Sequence, residues 1–206
     1  NGTASVTFTS GGLTTTPSSP LAFAAGQASA NFVVTLPADD STPEADVVAN
    51  LTLPVQTGVT TLQTATLTIR DDDSVIGFAL NGYTVSEGGG TASISVRRAG
   101  GNAGSVSVTY ATVAEVGFAK ATAGSDYVGV TNTLTFADGV TNLNFSITIL
   151  QDALNEVPET VRLILTNAAG TAGASATVAA VGGSTVLGQT VYGEATLTIQ
   201  DLSLIH

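Results

Sequence analysis

The chain has 206 residues, 43% of them apolar, which is enough for two sandwich-sized domains with packed cores. Only 10% are charged, and 16 acids against 5 bases leave a net charge of −11. That balance argues against DNA, RNA and anionic membranes as direct electrostatic partners and favours cations. With no cysteine there is no disulfide, thiol nucleophile or thiolate metal site, and no apolar run reaches transmembrane length.

Taken in chain order, the segments with period-two alternation are SVTFT (5–9), ANFVVTL (30–36) and ATLTI (65–69). IGFAL (76–80), YTVSE (83–87), TASISVRR (91–98), SVSVTYATV (105–113) and DYVGVTNTLTF (126–136) follow. LNFSITIL (143–150), TVRLILTN (160–167) and EATLTIQD (194–201) complete the series. They are rich in Val, Ile and Thr, which suit pleated strands, and Gly, Pro, Asn and Asp punctuate between them. No segment carries a helical period. Many short strands with regular turn signals predict an all-β protein built from immunoglobulin-like antiparallel β-sandwiches.

Two stretches are copies of one another. Residues 21–53 align without a gap to residues 134–166, pairing Leu21 with Leu134, Phe23 with Phe136, Gly26 with Gly139, Phe32 with Phe145 and Asp39 with Asp152. ATLTIRDDD (65–73) recurs as ATLTIQD (195–201). A repeat of this length predicts two tandem units of one fold. The boundaries expected are 1–73 for the first unit and 74–201 for the second. SVTFT aligns with SVSVTY, so the first unit has no counterpart of residues 75–98 and is expected to be incomplete. The explanation favoured is a chain that begins inside a domain; the alternative is strands donated by a neighbouring subunit. Residues 202–206 (LSLIH) match what one sequencing adaptor encodes when read in frame, and are expected to be a non-native tail. The small-residue stretch 168–193 has no equivalent in the first unit. It is read as a surface insertion, either a flap or a hairpin built from ATVAAV and STVLGQTV.

The acids fall at strand ends. Asp71, Asp72 and Asp73 are consecutive, and Asp39, Asp40, Glu44 and Asp46 lie in PADDSTPEAD (37–46). Charges about 4 Å apart at an effective dielectric near 20 repel by roughly 4 kcal/mol per pair. A solvated linker tolerates that repulsion; a folded cluster needs a cation. A hard divalent ion such as Ca²⁺, taking six to eight oxygens in irregular geometry, is the economical solution. The second unit repeats the pattern with Glu87, Asp126, Asp152, Glu156, Glu159 and Asp201, scattered in sequence but each at a strand end or turn.

The ordered set YTVSEG (83–88), AGSDY (123–127), TLTFADG (133–139), ITILQDALNEVPETVRLIL (147–165) and ATLTIQD (195–201) is similar to the Calx-β domain. That family comprises calcium-binding β-sandwiches of sodium–calcium exchangers, certain integrins and many bacterial surface proteins. The resemblance covers the second unit up to Asp201 and, as a partial domain, residues 1–73. It implies calcium ligation by Glu87, by Asp126 of the SDY element, and by Asp152, Glu156 and Glu159 of the D-x-x-x-E-x-x-E loop. It further implies a backbone carbonyl from Leu154 and a carboxylate from Asp201. Gln151 and Ala153 stand where the family's fullest pattern has acids, and the terminal acidic run is cut to Asp201, which implies fewer or weaker ions. In the first unit Asp71, Asp72 and Asp73 match the terminal acids, while Asp39, Asp40, Glu44 and Asp46 align after a one-residue shift.

The function expected is a calcium-binding structural module of a larger extracellular or cell-surface protein, flanked by repeats of itself and stiffened at loops and junction by Ca²⁺. The alternative is an adhesion or assembly module that binds a protein or glycan without essential calcium. Its candidate surfaces are the 168–193 insertion and Tyr110, Tyr127 or Tyr192. A carboxylate pair such as Glu156 and Glu159 could serve a glycosidase, but an enzyme is not expected, because no Cys, Lys or credible His stands near the acids to make a nucleophile–base arrangement. Bland roles are expected for other residues. Phe23, Phe32, Phe136 and Phe145 are read as core, Gly88, Gly89 and Gly90 as a turn, and Asp138 as a turn residue. Arg97 and Arg98 are read as a solvated strand end near Glu115, and Glu194 as exposed.

Overall fold

A computed structural model describes residues 2–4, 7–9, 21–34, 36, 39–53, 63–171 and 173–201. The LSLIH tail lies outside the described residues. The chain forms two compact units, Asn1–Asp40 with Asp46–Arg70, and Ser41–Ala45 with Asp71–His206. Asp71, Asp72 and Asp73 therefore sit in the second unit, Asp73 already inside a strand.

The first unit contains β1 (Gly2–Ala4), β2 (Thr7–Thr9), β3 (Leu21–Phe23), β4 (Val47–Leu53) and β5 (Gln63–Ile69). β1 pairs with β3, and β2, β4 and β5 make a three-stranded antiparallel sheet in that order. The expected strand at 30–36 is not formed at 30–34 or 36, and Phe32, expected in the core, is 37% exposed, with Val33 and Leu36 also exposed. Alternation makes a strand only where a partner accepts its hydrogen bonds and covers its apolar side. In the second unit, residues 142–148 pair with residues 91–97. Phe23 is half-buried.

The second unit is a two-layer sandwich. Its strands are β6 (Asp73–Phe78), β7 (Gly82–Ser86), β8 (Thr91–Gly100), β9 (Val106–Val113), β10 (Thr131–Phe136) and β11 (Asn142–Thr148). They continue with β12 (Glu159–Gly170), β13 (Ser175–Val178), β14 (Ser184–Val186), β15 (Gln189–Val191) and β16 (Glu194–Gln200). One sheet has the order β10-β9-β12-β16-β7 and the other β11-β8-β6-β13. The inward set of each alternating strand fills the space between them. Ala92, Ile94 and Val96 of β8, Phe145 and Ile147 of β11, Val161 and Leu163 of β12, and Leu197 and Ile199 of β16 all belong to one buried cluster. Phe136 joins them fully buried, and the Phe145 ring stacks on Tyr110 at 3.9 Å.

The same alternation carries Arg98 inward, against the expectation of a solvated pair with Glu115. Arg98 is 1% exposed. Its Nη1 donates to the carbonyls of Asn102 and Gly104, and its Nη2 to those of Ala103 and Asp72, at 2.6–3.4 Å. A guanidinium offers five donors in a rigid fork, so a ring of carbonyls can compensate its burial. Glu115 instead pairs with Lys120 at 2.9 Å. Glu194 is likewise engaged rather than free at the surface, accepting from Arg162 Nε at 3.0 Å.

The 168–193 stretch is more than a loose insertion. β13 pairs in parallel with β6, and β14 and β15 form a hairpin through Leu187 and Gly188, both at positive φ. Val191 is fully buried with Ala99 and Ala179 in a second small cluster outside the four-stranded sheet. Gly77 allows this approach, since a Cβ there would lie 2.7 Å from both the Tyr192 nitrogen and Val191 Cβ. Gly77→Ala should therefore destabilise the second unit by about 1–3 kcal/mol, measured as a lower denaturant midpoint with an unchanged slope.

Candidate metal centre

Strand register decides where the acids meet. β7 runs parallel to β16 with Ser86 opposite Gln200, so Glu87 and Asp201 leave neighbouring strands at the same end. β12 is antiparallel to β16 and begins with Glu159 opposite Ile199. β11 ends with Thr148 opposite Thr91 of β8, which sends the 149–158 loop, with Asp152 and Glu156, over the same end. β9 ends and β10 starts there too, with Ala111 opposite Thr131, so the loop holding Asp126 arrives from the other side.

Each acid is held by local structure. Glu87 begins the 3-10 turn Glu87–Gly89, which Gly90 closes at φ +73; the three glycines are a turn, as expected. Asp126 is fixed by its neighbour Tyr127, 1% exposed, and by Leu150, whose N–H donates to the Asp126 carbonyl at 2.9 Å. The Asp126 carboxylate accepts from the Thr122 N–H. Two carboxylates tie the 149–158 loop down. Glu87 Oε1 accepts from Asp152 N at 3.0 Å, and Asp201 Oδ2 from Glu156 N at 2.9 Å. Within the loop, Asp152 Oδ1 accepts from Leu154 N at 2.6 Å.

Carboxylate oxygens of Asp126, Glu156 and Glu159 lie within 4.8 Å of one another, and all three residues are half-buried. Two hollows adjoin here. One is lined by Glu87, Asp126, Glu156, Val157, Glu159, Ile199 and Asp201. The other is lined by Glu87, Gly88, Gln151, Asp152, Ala153, Leu154 and Asp201. Glu87 and Asp201 are common to both, so they stand between two oxygen-lined spaces. Such a donor set, all hard oxygen and irregular in spacing, fits a divalent cation of the calcium type.

The electrostatics show the strain of this crowding. Burial first, then the charge of Asp126 and a hydrogen bond with it, push the Glu159 carboxyl up to about 7 from its ordinary 4.5; Glu156 and Glu87 add to the shift. Glu156 is also raised, by desolvation and then by Asp126, Asp152, Glu87 and Asp201 in turn. One of the cluster thus keeps a proton near neutral pH where no cation does the same work.

The other acids predicted from sequence lie elsewhere. Asp71, Asp72 and Asp73 sit where β6 starts and its partner β8 ends, with Ser74 opposite Gly100. Glu87 precedes the other end of β8, so about 30 Å of strand separates the two groups. Asp71 Oδ2 accepts from Glu44 N at 2.7 Å and Asp71 Oδ1 from Asp73 N at 3.1 Å. Asp73 is 2% exposed, and its Oδ1 is buried without a hydrogen-bond partner among the described residues. Asp39, Asp40 and Asp46 are exposed residues of the first unit. Asp138 accepts from Gly104 N at 3.0 Å, as a turn residue does. Arg98, which binds the Asp72 carbonyl, was missed from sequence, although strict alternation along β8 already places it on the inward face.

Residues 70–203 match the model of the Calx-beta domain family, and the chain belongs to that family. No curated protein matches the chain. Among solved structures it is similar to the apo-form Calx CBD1 domain, with 28% identity and a TM-score of 0.51 over 62% of this chain and 96% of that one. It is equally similar to CBD12 from CALX1.2, at 28% identity and a TM-score of 0.51, where it spans 45% of that chain. The Calx CBD2 domain, at 15% identity and a TM-score of 0.52, covers 66% of this chain and 91% of its own length, and shares the fold.

The raised Glu159 sets a pH dependence. The folded state holds a proton that the unfolded chain releases, so the linked stability is full below about pH 4.5 and is lost as the pH rises through about 7. In chelator, the melting temperature should fall between about pH 5 and pH 8. Glu159→Gln should flatten that slope and raise the metal-free melting temperature at the alkaline end. A slope unaltered by the substitution would place the proton elsewhere.

Proposed function

We propose that the second unit binds Ca²⁺ at its acidic end and serves as a calcium-dependent structural module of a larger extracellular or cell-surface protein. The observation that carries this is the convergence of Asp126, Glu156 and Glu159 within 4.8 Å, with Glu87 and Asp201 beside them, in a member of the Calx-beta family. Asp126, Glu156, Glu159, Glu87 and Asp201 line the first cation position. Asp152 and the Leu154 carbonyl, with Glu87 and Asp201, serve the second. A cation replaces the proton on Glu159 and neutralises the repulsion that raises Glu156, so the metal-bound loops are ordered and the metal-free ones are strained.

The acids at the start of β6 supply a further proposed position, from Glu44, Asp71, Asp72 and Asp73. The buried, unpartnered Asp73 Oδ1 supports it. An ion there would tie segment 41–45 to segment 71–73. Asp39, Asp40 and Asp46, from the first unit, are kept as candidate ligands by family resemblance alone. With Gln151 and Ala153 in place of acids the affinities fall toward the 10⁻⁴–10⁻³ M typical of extracellular modules. Such weak sites work where calcium is millimolar, which favours the extracellular or surface setting.

The geometry lends less to the alternatives. Of the tyrosines offered for glycan contact, Tyr110 and Tyr127 are buried and Tyr192 is half-buried beside Gly183. The residues lining the two hollows include no aromatic, so a bound sugar would find no stacking platform there.

Calcium at 100 times its dissociation constant should stabilise the fold by about 2.7 kcal/mol, read as a rise in melting temperature of roughly 5–15 °C. Glu156→Gln and Asp126→Asn should each weaken calcium binding about tenfold or more in calorimetric titration, by removing a charged ligand. Identical melting curves in chelator and in millimolar calcium would refute the proposal.

A further inference from the structure

We infer that Asn81 and Gly82 form a self-modifying site at the start of β7, where the chain converts its own asparagine to aspartate and isoaspartate through a cyclic imide. Two asparagines precede a glycine in the sequence, Asn1 and Asn81. Asn1 lies outside the described residues. Asn81 is exposed in the corner between β6 and β7, beside the exposed Leu80. Its side-chain amide has no hydrogen-bond partner among the described residues. Other asparagines are held or crowded. Asn132 Oδ1 accepts from Thr133 N at 2.8 Å, Asn142 Nδ2 donates to Thr141 Oγ1 at 3.0 Å, and Asn144 is followed by the bulky Phe145.

The backbone presents the attacking nitrogen. Thr196 N donates to the Asn81 carbonyl at 3.0 Å, and Gly82 stands opposite Thr196 in the parallel ladder. Successive residues of a strand aim their backbone groups to opposite sides. With Asn81 bonded to β16, the Gly82 N–H therefore faces the other way. β7 is the edge of its sheet, and no other described strand pairs with it there. The backbone does not demand a glycine at this position. Gly82 has no positive φ, and a Cβ on it would come no nearer than 3.9 Å to its only close neighbour, the Thr196 carbonyl oxygen. What the missing side chain does is leave the Gly82 nitrogen unhindered beside the Asn81 amide.

The chemistry balances with water alone. The Gly82 nitrogen gives its proton to solvent and bonds to Asn81 Cγ, and the bond from Cγ to Nδ2 breaks as ammonia leaves. Water then opens the cyclic imide at either carbonyl. Opening at Cγ restores the ordinary backbone with an aspartate at position 81. Opening at the backbone carbonyl routes the chain through the former side chain, which adds a backbone carbon. The carbonyl that Thr196 holds then becomes a free carboxylate. β7 is held to its sheet by β16 alone among the described strands, so isoaspartate loosens its start. The strand that carries Glu87 at its far end is thereby less firmly seated in an aged molecule than in a new one.

The test ages the full 206-residue chain for days at physiological temperature and mildly alkaline pH, with trypsin digestion and mass spectrometry at intervals. Cleavage after Arg70 and Arg97 releases residues 71–97, in which Asn81 is the only side-chain amide. That peptide should gain the mass by which an acid exceeds an amide, while the peptide 121–162, with Asn132, Asn142, Asn144 and Asn155, lags behind. The product should divide into a form cut by an endoprotease that cleaves before aspartate and a form that resists it, as isoaspartate does. Gly82→Ala should suppress the gain without lowering the melting temperature of fresh protein, and Asn81→Gln should abolish it. Aged wild type should melt below fresh wild type and exchange the amides of β7 faster. Asn81→Asp, which has the charge without the extra carbon, should melt close to fresh wild type. No mass gain in the folded chain overturns the inference, and a gain seen only in denaturant assigns the protection to the fold. Aspartate without isoaspartate, or a gain that Gly82→Ala leaves unchanged, rules out the cyclic imide. Aged protein that melts like fresh protein overturns the loosening of β7. None of these readouts involves calcium, so the outcome is independent of the metal reading.

Discussion

The parallel pairing of β7 with β16 is the constraint on which the acidic end depends. β6 and β7 are consecutive in sequence but lie in different sheets, and the crossing between them puts β7 at the edge of the five-stranded layer. With Ser86 opposite Gln200, the next residue on each strand is an acid. A slip of one residue by the edge strand β7 would turn Val85 away from the core and move Glu87 from its place beside Asp201. The hydrophobic pattern that stabilises the sandwich therefore also sets the spacing of Glu87 and Asp201, although their mutual charge opposes it.

The fold thus holds together groups that repel one another. The stabilising side of the balance is the interlayer cluster, with Ile94, Val96, Phe136, Leu163 and Leu197 fully buried, each contributing about 1.5–3 kcal/mol. The opposing side is confined to loops at one end, where a proton on Glu159 relieves it. Confinement matters, because the strained part can change state without disturbing the layers that carry the stability. At the other end of β8 a different device operates. Arg98 gathers the carbonyls of Asp72, Asn102, Ala103 and Gly104 around a single buried charge, and that end has its geometry set by hydrogen bonds.

Much of this was legible in the sequence, because period-two alternation is a local signal. The strands of the second unit stand where alternation puts them, and the acids were visible as strand-end residues. Arg98 shares a face with Ala92, Ile94 and Val96, and so was inward all along. Long-range pairing was harder to see. ANFVVTL has the composition of a strand, yet forms none at its described residues, because composition does not say which strand would pair with it. The packed hairpin over Gly77 was equally hidden, since nothing local announces that a glycine makes room for residues more than a hundred positions away. Family resemblance supplied what pattern could not, the expectation that scattered acids act together.

The placement of the unit's two ends has a mechanical consequence. The chain enters β6 at Asp73 at one extremity of the sandwich and leaves β16 at Gln200 at the other, in the opposite layer. Tension applied across those ends draws β6 lengthwise past β8 and β13. Their rungs are then loaded together in shear, whereas a hairpin pulled open breaks them one after another. A domain threaded this way resists stretching through its backbone ladder, with the Arg98 clamp as a bolt at the point where the load enters.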